Sequence, residues 1–153
     1  MVAKNSDRIE KHIILRAPRS RVWRALTDAR EFGAWFGAKL EGAFEPNRAV
    51  SGPITFPGYT HVTLRLEVVR IEPESLFSYR WHPYAVDPDV DYSAEPTTLV
   101  EFRLEDAPGG GTSLTVTESG FDAIPLARRA KALEMNDGGW AQQVENIARH
   151  VAT

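Results

Sequence analysis

Few side chains in this sequence stand in arrangements that do chemistry unaided. The nearest to one is Asp87-x-Asp89-x-Asp91, because alternate carboxylates open a calcium-binding loop, where oxygen ligands surround a hard cation. Such a loop also needs glycine at its sixth position and a bidentate glutamate at its twelfth. Those positions hold Tyr92 and Thr98, so specific metal binding is not expected. His12, His61, His82 and His150 are widely spaced, with no His-x-His or His-Glu-x-x-His pair to hold a transition metal. The chain has no cysteine, which removes thiolate nucleophiles, thiolate metal sites and disulfides together. No serine lies in a Gly-x-Ser-x-Gly elbow, and no glycines form a dinucleotide or phosphate loop, so no cofactor is expected. Catalysis, if present, is left to acid/base groups facing a cavity. His82, just past a strand end, and Glu101 or Arg103 on a neighbouring strand are the nearest candidates, although charged residues alternating along a strand ordinarily face water.

Aromatic residues suggest binding instead. Trp35, Phe36, Tyr59, Trp81, Phe121 and Trp140 come from far-apart segments, and rings from opposing walls can line a pocket of roughly 300–1,000 Å³. On that reading Trp35, Trp81 and Trp140 supply wall area, Phe121 closes one end, and Met135 adapts to the shape of the occupant. Trp140 follows Gly138-Gly139, and each glycine costs a helix interior about 1 kcal/mol. Glycine at that point lets the helix backbone approach the sheet or a ligand. The same rings equally suit an ordinary core in which they interlock.

These residues must be positioned by regular elements, and the hydrophobic spacing indicates which. Ile9 to Leu15 is rich in β-branched and aliphatic residues and reads as a strand; Pro18 then suits the first position of a helix buried through Val22, Trp23 and Leu26. Asp28 with Glu31 has the capping-box pattern that opens a second short helix carrying Phe32, Trp35 and Phe36. Lys39 to Phe44 and Val50 to Phe56 read as short strands. Val62, Leu64, Leu66 and Val68 alternate with Thr63, Arg65, Glu67 and Val69 in a long half-buried one. Leu76 to Trp81, Thr98 to Leu104 and Ser113 to Glu118 complete a run of antiparallel hairpins. Trp140, Val144, Ile147 and Val151 then recur along one stripe of a closing helix. Between Trp81 and Thr97 the three prolines and four carboxylates of residues 82–96 forbid a regular element; this loop is either a mobile insertion or a cover for a pocket mouth.

The whole fits one domain over 1–153, with a core of about 9–151 and a flexible tail at 1–7, and 153 residues suffice to bury ~70% of the unfolded surface. A net charge of −3 and an isoelectric point near 5.8 have the wrong sign for a phosphate-backbone partner, so no nucleic acid is expected. Local basic runs at Arg16, Arg19, Arg21 and Arg24, and at Arg128, Arg129 and Lys131, read as solvated helix faces beside acidic neighbours. Neither a signal-peptide core nor a run of ~18 apolar residues is present, which makes a cytoplasmic protein without stable membrane anchoring the expectation.

Several motifs in order resemble one family. Pro18-x-x-Arg21-Val22-Trp23-x-Ala25-Leu26-Thr27-Asp28, then Trp35-Phe36, the strand entry from Pro73 to Trp81, Thr112-x-Leu114-x-Val116-x-x-x-Gly120-Phe121 and Gly139-Trp140 are similar to the bacterial proteins related to the activator of Hsp90 ATPase. These belong to the START-like, or Bet v 1-like, superfamily, and the resemblance spans about Ile9 to Val151. It implies an α+β helix-grip fold, a curved antiparallel seven-stranded sheet around a long C-terminal helix, with two short helices after the first strand. It also implies a hydrophobic cavity, used across the superfamily for lipids, sterols, polyketides or plant aromatics, so the expected partner is a small hydrophobic ligand. A cyclase or dehydratase acting in the same cavity, and a chaperone-cofactor or stress-response interaction, are the alternatives. The eukaryotic co-chaperone pairs this domain with a second one that binds the chaperone, for which this chain has no room; direct action on Hsp90 is therefore not expected. The exposed edge strands of such a sheet suit a homodimer.

Overall fold

The computed structural model describes residues 7–152. Its elements run β1 (Arg8–Leu15), α1 (Arg19–Thr27), α2 (Ala29–Phe36), β2 (Ala49–Pro53), β3 (Thr63–Glu72), β4 (Leu76–Trp81), β5 (Thr98–Ala107), β6 (Gly111–Ser119) and α3 (Leu126–Val151). All strand pairings are antiparallel, in the order β1-β6-β5-β4-β3-β2, so the first strand closes against the last. The tail expected at residues 1–7 falls outside the described residues except for Asp7. That residue is tied to the fold: its carbonyl accepts the Phe121 N–H at 3.1 Å and its carboxylate the Asp122 N–H at 2.9 Å.

Strand alternation builds one buried face. Along β6, Thr112, Leu114, Val116 and Glu118 point inward; Val116 shares a cross-strand row with Phe102 and Phe77, and Glu118 the next row with Ile9, Val100, Tyr79 and Val68. Helix α3 buries Ala132, Trp140, Val144, Ile147 and Val151, which contains the stripe expected from spacing and extends it about two turns toward the N-terminus. Its Trp140 ring lies 5.7 Å from Phe102 and 5.8 Å from Trp81, fixing the helix on the inner face.

Two corrections concern the first third of the chain. Among the described residues the sheet has six strands rather than seven, because Lys39 to Phe44 makes only isolated bridges, Ala38 with Ile54 and Glu41 with Ser51. Gly42, at φ 100°, turns this segment out of the extended region, a conformation that costs other residues more. The segment instead presses its backbone on β2: a Cβ on Gly52 would stand 1.7 Å from the Lys39 carbonyl oxygen. Pro18, expected inside α1, precedes it as the capping residue, with extended ψ 158°.

The α1–α2 elbow is held by named polar contacts. Asp28 accepts the Glu31 N–H at 3.0 Å, as the capping box requires, and the Trp35 indole donates to the Ala25 carbonyl at 2.8 Å. The Glu31 side chain does not return to Asp28; it accepts from Arg21 at 2.7 Å, Arg24 at 2.9 Å and His150 at 2.8 Å, which joins the elbow to the end of α3. Burial pushes the Glu31 carboxyl up, but the bonds from His150, Arg21 and Arg24 outweigh it and hold it below the ordinary glutamate range. Arg19 likewise reaches Asp106 at 2.9 Å and the Glu74 carbonyl at 3.2 Å, so three of the four arginines read as a solvated face hold the fold together. Among the described residues no helix is long and apolar enough to cross a membrane.

Candidate functional site

Between α3, the ends of β3 and β4 and the loop after β4 lies a cavity of about 390 Å³, room for a small organic molecule. Its origin is visible in the sequence. Where α3 passes this end of the sheet it carries Gly138-Gly139, and an added Cβ at either position would find nothing within 4 Å. The glycines therefore do not bring the helix close to the sheet, as their placement before Trp140 suggested; they leave room, and Gly139 borders the cavity. Alanine at either position is expected to stabilise the ligand-free protein by about 0.5–1 kcal/mol in a urea melt, since it removes the cost of a helical glycine without a clash.

The walls are apolar and aromatic. Ile54, Val62 and Leu64 come from the β2–β3 connection and β3, Phe56 and Tyr59 stack edge to face at 5.3 Å, and Met135 faces them from α3. The loop after β4 forms the cover through Tyr84, Val86 and Tyr92. It is tied down rather than loose. Arg128 of α3 donates from Nε to Glu95 at 2.9 Å and from Nη1 to the Pro83 carbonyl at 2.7 Å, and its guanidinium lies 4.7 Å from the centre of the Tyr92 ring. His61 bonds the Val86 carbonyl at 2.8 Å, and His82 the Glu95 carbonyl at 3.0 Å. Asp87 and Asp91 turn the loop by accepting the Asp89 and Ser93 N–H groups, so the Asp-x-Asp-x-Asp spacing serves Asx turns. Arg128→Ala is expected to speed amide exchange across residues 83–95 about tenfold, with the exchange of β5 and β6 unchanged.

Beneath the cavity lies a buried acid. Glu118 has no solvent exposure, and both of its oxygens are occupied. Oε2 accepts from the Trp81 indole at 2.7 Å and the Thr98 hydroxyl at 2.5 Å; Oε1 accepts from the Trp140 indole at 2.9 Å and the Asn136 amide at 3.0 Å. Among the described residues no lysine, arginine or histidine forms an ion pair with it. Burial pushes its carboxyl above the ordinary range, partly offset by the bonds from Thr98, Trp81, Trp140 and Asn136. Trp81 and Asn136 each touch Glu118 with one atom and the cavity with another surface, so the acid sits one side chain behind the wall. The neighbouring Tyr79 hydroxyl is fully buried and has no hydrogen-bond partner among the described residues; burial and the Glu118 charge push it well above the ordinary tyrosine range.

Of the residues singled out from sequence, the structure brings Tyr59, Trp81 and Met135 together at the cavity. Trp35, Phe36, Phe121 and Trp140 lie outside its lining, taken up by the packed core. Trp35 and Phe36 stand against Phe32 at 4.5 and 5.5 Å, Phe121 is fully buried in the short turn before α3, and Trp140 is wedged between Trp81 and Phe102. Of the acid/base candidates His82 lines the cavity, whereas Glu101 and Arg103 pair with each other at 3.5 Å on the outer face. Among the described residues no three His, Cys, Asp or Glu side chains cluster to hold a metal ion. Glu118 and Asn136 escaped the sequence reading, yet both leave a signal. Glu118 is a carboxylate at an inward position of an alternating strand, and Asn136 interrupts an apolar helical stripe between Ala132 and Trp140.

Comparison with known proteins agrees with this architecture. Protein MLL2253 from Mesorhizobium loti superposes with a TM-score of 0.74 at 23% identity, over 95% of this chain and 96% of that one. The Aha1 dimer from Colwellia psychrerythraea gives 0.70 at 16% identity, over 94% and 95%. DynU16, a protein of the dynemicin biosynthetic locus, gives 0.72 at 23% identity over 96% of this chain but 48% of its own, so this chain spans about half of it. At such identities the likeness speaks to the fold. A search of curated proteins found no sequence match. The model of the family described as activator of Hsp90 ATPase homolog 1-like protein matches residues 16–152, nearly the whole described chain, and the protein belongs to that family.

Proposed function

We propose that this protein binds a small aromatic or otherwise apolar molecule in the cavity between α3 and the sheet. The observation that carries the reading is the cavity itself: about 390 Å³, walled by Phe56, Tyr59, Trp81, Tyr84 and Tyr92, and bordered on α3 by Gly139, a helical glycine whose cost no packing contact recovers. A cover roped to α3 by Arg128 lets such a molecule be enclosed without covalent chemistry. The family match is compatible with this function without naming the ligand. A thermal-shift panel of fatty acids, sterols, flavonoids and aromatic polyketides tests it. A ligand present at 100 times its dissociation constant adds ~2.7 kcal/mol, a shift of several degrees for a domain of this size, and a flat result across the panel contradicts the reading.

A second reading has one observation in its favour. His82 lines the cavity, and its Nε2 is engaged with the Glu95 carbonyl; a carbonyl only accepts, so Nε2 carries the proton and Nδ1 of the neutral ring is a base. Cyclisation or dehydration of a bound polyketide needs such a group. On this reading His82→Gln abolishes turnover of a compound that the variant still binds.

A further inference from the structure

One amide at the cavity has its polar orientation dictated by the protein. Asn136 turns its Nδ2 to Glu118, at 3.0 Å from Oε1 and 3.2 Å from Oε2. With Glu118 ionised, the alternative flip is unfavourable. It would set the amide oxygen against a carboxylate already ringed by two indoles, which can only donate. Oδ1 is therefore the free end of the amide, on a half-buried residue of the cavity wall, with no hydrogen-bond partner among the described residues. His82 Nδ1, freed by the bond from Nε2, is a second acceptor on the same cavity. The one strong donor of the lining, Arg65, stands at the rim with its side chain mostly exposed and paired to Glu67.

We propose that the ligand of this cavity carries a hydroxyl group, received by Asn136 Oδ1, and that Glu118 is the positioning residue that holds the amide in that orientation. This rests on the cavity being a binding site and names the chemistry its occupant must have. A wholly apolar molecule takes Oδ1 out of solvent without replacing the hydrogen bond that solvent offers, whereas a hydroxylated one restores it. It also gives the buried acid a use: an uncompensated carboxylate is an expensive way to fill a core, but the one group able to accept from Asn136, Trp81 and Trp140 at once.

The test compares two probes with one ring system, 2-naphthol and its methyl ether 2-methoxynaphthalene, at pH 7 by NMR titration of the wild-type protein. The first has a hydroxyl donor and the second has none. The wild type is expected to prefer 2-naphthol about 5–10-fold, the span of one net hydrogen bond. Asn136→Leu should bring the two within ~2-fold by weakening 2-naphthol alone, and Glu118→Gln, which lets the amide turn, should reduce the preference as well. Equal binding of the two probes to the wild type overturns the inference and leaves the cavity reading standing. A preference that survives in Asn136→Leu also overturns it. If neither probe binds, the cavity reading falls and this inference with it. The wild-type comparison decides the matter even if a variant fails to fold.

Discussion

Glu118→Ala is expected to lower the unfolding free energy by about 4–5 kcal/mol, the largest effect of any single substitution at the site. The alanine removes the shared acceptor of two indole N–H groups, a threonine hydroxyl and an amide, drawn from β4, β5 and α3, and each buried donor left unpaired costs about 1–3 kcal/mol. The sum falls short of four full penalties because Asn136 is half-buried and can turn to water. Glu118→Gln should cost less, about 2–3 kcal/mol, since its amide oxygen still accepts while its NH2 opposes one group of donors. Urea melts of the three proteins at pH 7 give the ordering directly. Losses within 1 kcal/mol for alanine would show that the network does not hold helix to sheet.

The same acid sets a pH dependence of definite sign. Its folded carboxyl lies above the unfolded value of roughly 4.3. The stabilisation from its proton is therefore complete below the unfolded value and is lost as pH rises through the folded one. Glu31 works in the opposite direction: its carboxyl is held low, so its ion pairs stabilise the fold above the unfolded value and are lost as pH falls through the folded one. Glu118→Gln should accordingly flatten the decline of stability above about pH 4.3 and leave the acid limb, governed in part by Glu31, in place.

Leu64→Trp is expected to weaken binding of 2-naphthol at least 100-fold while leaving the melting temperature within about 3 °C of wild type. Leu64 is an inward residue of β3 at the cavity wall, opposite Gly52 in the β2 ladder. It is buried yet borders the cavity, so a larger ring can extend into volume that a ligand would take and overpacking is modest. The substitution separates occupancy of the cavity from stability of the fold. Undiminished binding in a folded Leu64→Trp protein would place the ligand elsewhere.

How much of this was readable in the sequence depended on periodicity. The alternation of Val62 to Val68 and the stripe from Trp140 to Val151 are local patterns of burial, and both elements stand where those patterns put them. Lys39 to Phe44 failed as a strand because one glycine at positive φ decides its path, and a single residue barely alters a pattern. The aromatic set was legible as buried but not as sorted. Trp81 and Trp140 lie 5.8 Å apart, yet one edges the cavity and the other is enclosed, a difference fixed by the helix crossing and not by residue type. Glu118 and Asn136 were overlooked for a related reason. Each is unremarkable alone, and their meaning arises only where β6 and α3 meet, 18 residues apart in the chain.

The most direct test is a methyl NMR titration of the wild-type protein with 2-naphthol, reading Ile54, Val62, Leu64 and Val86 at the cavity against Val22, Leu26 and Ile147 in the packed core. Progressive, saturable shifts confined to the first four are the predicted result. Saturable shifts centred on the core set, or none in the cavity methyls up to the solubility limit of the probe, would contradict the claim that helix and sheet enclose a binding site.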